Sequence, residues 1–296
     1  MTFKEIVKLL MPGVLKKKVH AFNSRRFNKK SEREIKWDNF INDQKTVKIK
    51  HDLTDTVHIN LYKNYYLSSF IYNNEFEDET LQFIYSVLQK DGCFVDIGAN
   101  IGFFSLNASA IVGDKGIVYA FEPANNTFNK LKENIESNKM KNISMHKLAL
   151  SDAEGVKEFH ISTDGYDAFN SFVMPVHGKD YILEKTDIAR LDGFYNDLKQ
   201  YTNLVIKIDV EGWEYHVVNG AQKVLLALNP ILIIEFNDEN TSVSEFRCTH
   251  LFKLLESLNY SMYNLVEGKL IPKQNEDYFT YQNIIAKKVI NYEKGN

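Results

Sequence analysis

From residue 93 onward, short apolar runs alternate with amphipathic ones, and this alternation constrains the fold more than any other feature of the chain. CFVDI (93–97) has the length and apolarity of a buried strand, and FFSLNASAIV (103–112) that of a helix. The turn GDKG leads to a second strand, GIVYAFE (116–122), then to a helix, NNTFNKLKENIESNK (125–139), and a third strand, NISMHKLAL (142–150). Strand, helix, strand, helix, strand is the pattern of a parallel sheet with crossover helices. It resumes with LVIKID (204–209), a helix over 213–228, PILIIEF (230–236) and a helix over 243–257. YSMYNLV and YFTYQNIIAKK read as two terminal antiparallel strands, and residues 155–190 as extra strands and loops. Upstream, TVKIKHDLTDTVHINLY (46–62) alternates at period two, which predicts two short antiparallel strands, and EDETLQFIYSVLQKDG (77–92) predicts a helix. The expected organisation is a basic segment over 1–36, an extension with short strands over 37–76, and one α/β domain over 77–290.

Charge divides the chain the same way. Residues 1–36 hold eleven Lys/Arg against three Glu, which leaves 25 basic and 36 acidic residues for the remainder. An acidic body argues against nucleic acid as a partner, because polyanions need a basic footprint on the folded surface. In the head, Phe3, Ile6, Val7, Leu9, Leu10, Met11, Val14 and Leu15 are interleaved with lysines. That pattern fits either peripheral contact with a membrane surface or a basic tail. No apolar run reaches the roughly eighteen residues of a membrane span, and the start has no signal-peptide core, so a cytoplasmic protein is expected. Cys93 and Cys248 fit no metal spacing and read as reduced, buried thiols.

Open α/β sheets bind ligands at the carboxyl ends of their strands, and the first strand ends in the turn Asp96–Ile97–Gly98–Ala99–Asn100–Ile101–Gly102. A nicotinamide fingerprint would read G-x-G-x-x-G; here two glycines lie four apart and two phenylalanines follow. Such a turn makes a poor pyrophosphate cradle and suits the amino-acid part of S-adenosylmethionine. Glu122, at the end of the second strand, is placed to accept both ribose hydroxyls, and Ser151 and Asp152, after the third, to meet the adenine edge. The expected cofactor-binding residues are therefore Asp96, Gly98, Asn100, Gly102, Glu122, Ser151, Asp152 and Asp209.

FVDIGANIGFFS, YAFEP, LALSD and LVIKIDVEGWEYHVVNGA together resemble the FkbM family of S-adenosylmethionine-dependent methyltransferases, over roughly residues 70–290. The resemblance implies a class I methyltransferase fold: a Rossmann-like, mostly parallel sheet of seven strands with an antiparallel terminal hairpin. It also implies O-methylation, of sugar hydroxyls in glycans or glycosylated precursors or of natural products such as polyketides. Where the family usually has a small residue after K-I-D-V-E-G, this chain has Trp213.

Methyl transfer needs a group that takes the acceptor's proton. Asp209 and Glu211, at the end of LVIKIDVEG, are the leading candidates for the base, with Glu235 next. Asp209 could instead hold the cofactor's amine with Lys207 as its ion-pair partner, and Glu211 could be a charge at a helix start. These carboxylates with Asn237 could also chelate a divalent cation, but no histidine or further carboxylate fixes a shell, so a metal is not favoured. Trp213 and His216 are the candidates for contact with a small-molecule or glycan acceptor; Gly165, Tyr166, His177 and Gly178 mark a lid or acceptor loop. From other functional classes, a nicotinamide-dependent oxidoreductase and a non-catalytic cofactor-binding partner remain as alternatives.

Overall fold

The computed structural model describes residues 31–41, 46–50, 57–164, 167–174 and 180–288. The apolar and lysine-rich head over 1–30, and the loop residues Gly165, Tyr166, His177 and Gly178, lie outside the described residues. The chain divides into two compact units, Met1–Gln44 and Lys45–Asn296. In the first, helix α1 (Glu32–Ile41) starts from a reciprocal cap: Glu34 N–H donates to Ser31 Oγ at 3.2 Å, and Ser31 N–H to Glu34 Oε2 at 2.7 Å.

The second unit opens with an antiparallel pair, β1 (Thr46–Lys50) and β2 (His58–Tyr62), as the period-two alternation predicts. Helices α2 (Tyr66–Tyr72) and α3 (Asp78–Val87) follow. The core then alternates β3 (Cys93–Ile97), α4 (Phe103–Val112), β4 (Ile117–Phe121), α5 (Asn125–Asn138) and β5 (Ile143–His146). Next come β6 (Ala149–Leu150), β7 (Gly155–Ser162), β8 (Tyr181–Ala189), the short helix α6 (Tyr195–Leu198) and β9 (Leu204–Ile208). Helices α7 (Glu214–Asn219) and α8 (Gln222–Leu228), strand β10 (Ile231–Phe236), helix α9 (Cys248–Ser257) and strands β11 (Tyr260–Val266), β12 (Lys269–Pro272) and β13 (Gln282–Lys288) complete the order.

The main sheet runs β12-β11-β13-β10-β9-β3-β4-β5. Strands β5, β4, β3, β9 and β10 are parallel, and β13 inserts antiparallel between β10 and β11. This is the expected mostly parallel sheet with an antiparallel end, one strand larger than seven because β12 folds back on β11. Strands β3 and β9 are buried along their whole length, as strands covered by helices on both faces must be. Cys93 and Cys248 are free and buried in this core.

Three boundaries differ from the expectation. The third strand breaks after His146, and β6 leaves the main sheet to pair with β8 in a three-stranded sheet, β6-β8-β7. The helix expected over 213–228 is two helices, broken at Gly220. A Cβ there would lie 1.9 Å from the Ser151 carbonyl oxygen, so the glycine admits the end of β6. The last helix starts at Cys248 rather than 243, because Asp238 accepts the Cys248 N–H at 3.1 Å and holds the preceding turn away from the helix. Within the extension expected over 37–76, the residues from Lys45 on lie in the larger compact unit. Asn138 and Asn134 on α5 clamp β2, accepting the His58 and Asn60 N–H groups at 2.8 and 2.7 Å. Among the described residues, no helix is long and apolar enough to cross a membrane.

Candidate active site

The site forms at the carboxyl ends of β3, β4, β9 and β10. The turn after β3 uses left-handed backbone at Gly98 (φ 85), Asn100 (φ 53) and Gly102 (φ 95). Glycine is required at 98 because a Cβ would meet the Asp209 carbonyl oxygen at 1.9 Å. The ends of β3 and β9 are thus in backbone contact, with Asp209 N–H donating to the Ile97 carbonyl at 3.0 Å. Asn100 tolerates its conformation by local bonding: its Oδ1 accepts the Tyr65 hydroxyl at 2.6 Å and the Ile101 N–H at 2.8 Å. Glu122, buried at the end of β4, accepts Asn100 N–H at 3.0 Å on one oxygen and Ala124 N–H at 2.9 Å on the other.

Two cavities meet here. The larger, of about 640 Å3, is walled by the aromatic Tyr66, Phe70, Phe76, Phe103 and Phe169, and floored by Lys207, Asp209, Glu211 and Glu235. The smaller, of about 40 Å3, runs past Glu122, Leu148, Leu150, Phe159, Phe172 and Trp213. Gly98, Asn100, Asp209 and Glu211 border both.

The floor is a charge cluster. Lys207, buried on β9, donates to Asp209 Oδ2 at 2.5 Å and lies 3.9 Å from Glu77 Oε1. Burial alone would depress the ammonium, but Asp209, Glu77 and Asp96 outweigh it and hold Lys207 above its ordinary range. Asp96, paired across the sheet with Lys207, accepts the Ser105 hydroxyl at 2.6 Å, and burial pushes it up to about 6. Burial, then the neighbouring Asp209, drives Glu211 well up; burial, then Glu211, does the same to Glu235. Glu211 itself takes left-handed backbone (φ 56), its Oε2 held by Asn240 Nδ2 at 2.6 Å and its carbonyl by the Ser171 hydroxyl at 2.7 Å. Such strain at a non-glycine residue persists only where neighbours enforce it.

Of the residues singled out from sequence, Gly98, Asn100, Glu122, Asp209, Glu211 and Glu235 line the cavities. Asp96 and Gly102 border neither; they support the turn from beneath, through Ser105 and through the close approach of Leu131. Ser151 and Asp152, expected at an adenine edge, follow β6 out of the main sheet and bond residues of the segment over 213–219. Ser151 Oγ accepts the Trp213 indole N–H at 3.2 Å, and Asp152 Oδ2 contacts His216 Nδ1 at 2.9 Å. Burial raises Asp152, but the bonds from His216 and Asn219 prevail and hold its carboxyl below the usual range. Trp213 and His216, expected to face an acceptor, stack on each other with centroids 3.7 Å apart, and Trp213 lines the smaller cavity rather than the larger.

Three contributors escaped the sequence reading. Glu77 reaches the floor from a left-handed residue before α3 and accepts Asn283 Nδ2 of β13 at 2.5 Å. Neither residue carries a local signal; only the topology joins them. Glu214 accepts N–H groups of Val210 at 3.0 Å and Gly212 at 3.1 Å, closing the loop that carries Glu211, and burial raises it to about 7. Its position two residues after Gly212, at a helix start, is the one signal that could have revealed it.

Comparison with known proteins bears on this geometry. Residues 96–262 match the methyltransferase FkbM domain, a span that includes Asp96, the glycine turn, Glu122 and the Asp209–Glu211 loop. Hexuronic acid methyltransferase AglP of Haloferax volcanii is 24% identical over 168 residues, covering 53% of this chain and 61% of that protein. Methyltransferase 1 of Beauveria bassiana is 26% identical over 195 residues, covering 57% of this chain and 78% of that protein. Among solved structures, the FkbM methyltransferase of Methylobacillus flagellatus superposes with a TM-score of 0.45 at 18% identity, covering 71% of this chain and 47% of that one. With the domain pattern matched across more than half of its length, the chain belongs to the FkbM methyltransferase family, and it spans less than two thirds of the length of the hexuronic acid methyltransferase it matches.

Proposed function

We propose that this chain uses S-adenosylmethionine to O-methylate a sugar hydroxyl of a glycan or glycosylated precursor. The observation that carries the reading is the meeting of two cavities at Gly98, Asn100, Asp209 and Glu211: one holds a buried carboxylate suited to a ribose, the other an aromatic wall facing a carboxylate floor. The family and the hexuronic acid methyltransferase among its relatives support a sugar acceptor.

The residues present suit the cofactor chemically. The glycine turn leaves no side chain at the point where β3 and β9 touch, and a carboxylate such as Glu122, which holds the turn through Asn100 N–H, is the group that accepts hydroxyl hydrogens best. The smaller cavity has room for only a few waters, so the Phe159, Phe172 and Trp213 side has to yield to admit an adenosine. When bound, S-adenosylmethionine supplies an electrophilic methyl on a sulfonium. Tyr66 and Phe169, with ring centroids 5.5 Å apart, offer faces against which a sugar ring can rest. Lys207 fixes Asp209, and Glu211, whose proton affinity burial raises, would as a carboxylate take the proton that an acceptor hydroxyl gives up on receiving the cofactor's methyl. The larger cavity is of a size to accommodate an acceptor, within the usual range of about 300–1,000 Å3 for ligand sites.

The test is transfer of labelled methyl from S-adenosylmethionine to a panel of uronic-acid glycans, neutral glycans and polyketide-type alcohols. Label in the sugar acceptors as alkali-stable ether is expected. Label only in the polyketide alcohols would replace the sugar reading with the natural-product one, and label in none would remove both.

A further inference from the structure

We propose that Asp209, Glu211 and Glu235 form a binding site for a divalent cation of the hard, oxygen-preferring class typified by Mg2+ and Mn2+. One oxygen from each of the three carboxylates lies within 4.8 Å of the others. At a metal–oxygen distance of about 2.1 Å, oxygens of one octahedral shell are about 3 Å apart when adjacent and about 4.2 Å when opposite, so side-chain movements of about 1–2 Å bring the three into a common shell.

Proximity alone would not carry this, since acidic clusters are common. The second observation is Glu235. It is 4% exposed, on strand β10, which is buried from Leu232 to Phe236, and its Oε2 has no hydrogen-bond partner among the described residues. A buried carboxylate oxygen left without a donor is costly, and it borders the larger cavity beside the other two carboxylates. A cation on the cavity floor supplies the missing partner.

The local cation is already engaged. Lys207 is committed to Asp209 at 2.5 Å and to Glu77 at 3.9 Å, with Asp96 paired beside it in the sheet. Neither Glu211 nor Glu235 has an ion-pair partner within 4 Å among the described residues, so a bound cation can take the place of their protons. The second shell is also built: Asn240 orients Glu211 at 2.6 Å, and Lys207 orients Asp209. Each carboxylate gives one oxygen to the ion and keeps the other, so an oxygen remains to accept an acceptor's proton. A hydroxyl entering the ion's open positions would lose that proton more readily.

Binding is independent of methyl transfer and of the acceptor, so its test separates the two readings. The experiment is titration of full-length protein with Mn2+, reading free Mn2+ by electron paramagnetic resonance. One ion per chain is expected, displaced by excess Mg2+, with affinity weakened roughly ten-fold or more in Glu235→Gln and in Glu211→Gln. Glu239→Gln, an exposed carboxylate beyond β10, serves as control and should bind as wild type. Circular dichroism melting confirms folding of each variant, and the second variant keeps the test decisive if the first fails to fold. No depletion of free Mn2+ by the wild type, or equal depletion by wild type and both variants, overturns the proposal.

Discussion

Replacing Gly98 with alanine probes the contact on which the site depends. Its backbone has φ 85, where an L side chain costs about 1–2 kcal/mol. The added Cβ would start 1.9 Å from the Asp209 carbonyl oxygen, so the end of β9 must retreat by about 1.5 Å to reach ordinary contact at 3.4 Å. Displacing packed backbone by that much adds about 1–3 kcal/mol. Restricting the unfolded chain returns only about 0.4–1 kcal/mol. A net loss of about 2–4 kcal/mol follows, which for a domain of this size lowers Tm by roughly 5–15 °C. The retreat carries Asp209 with it, and a misplacement of about 1 Å can cost about 100-fold in turnover. Differential scanning calorimetry and methyl-transfer assays read both effects. Gly193→Ala is the control: its Cβ would meet nothing within 4 Å, so it should melt at or slightly above wild type. If Gly98→Ala melted with wild type and kept its turnover, the close approach of β3 and β9 would be wrong.

Other perturbations separate the roles of the carboxylates and of the wall. Glu211→Gln should lower kcat by about 100-fold or more while leaving cofactor affinity within a few-fold, as measured by turnover and calorimetry; an unchanged kcat would remove Glu211 as proton acceptor. Asp96 and Glu214, raised to about 6 and about 7, bind protons more tightly folded than unfolded. The stability they contribute is fully present below about pH 4 and is lost as pH rises through about 6 to 7. Urea midpoints should therefore decline over that window, and less steeply in Asp96→Asn; an identical slope in the variant would contradict the assignment. Cofactor binding should change hydrogen exchange around Phe172 and Trp213, where the smaller cavity has to widen; identical exchange with and without cofactor would place the adenosine elsewhere.

The parallel core was legible because each strand and helix announces itself locally. CFVDI is apolar but for Asp96, FFSLNASAIV matches its helix residue for residue, and the period-two run over 46–62 became β1 and β2. The strand-end logic also brought Gly98, Asn100, Glu122, Asp209, Glu211 and Glu235 to one cleft. What failed was set by packing between distant segments. Nothing in NISMHKLAL signals that Ala149 and Leu150 will prefer β8 to the main sheet, and that switch turned Ser151 and Asp152 toward Trp213 and His216. Glu77 and Asn283 lie at opposite ends of the domain sequence and meet only because β13 inserts beside β10. A reading by local pattern cannot see either event.

Calorimetric titration of the full-length protein is the decisive test of an S-adenosylmethionine site built on the glycine turn and Glu122. Wild type should bind S-adenosylmethionine at one site and show no heat with NAD. Glu122→Gln, which removes the charge from the ribose hydrogen bonds, should lose about 1.5–3 kcal/mol, or roughly 10- to 150-fold in Kd. Tight binding of NAD, or undiminished affinity for S-adenosylmethionine in a folded Glu122→Gln variant, would rule out that site.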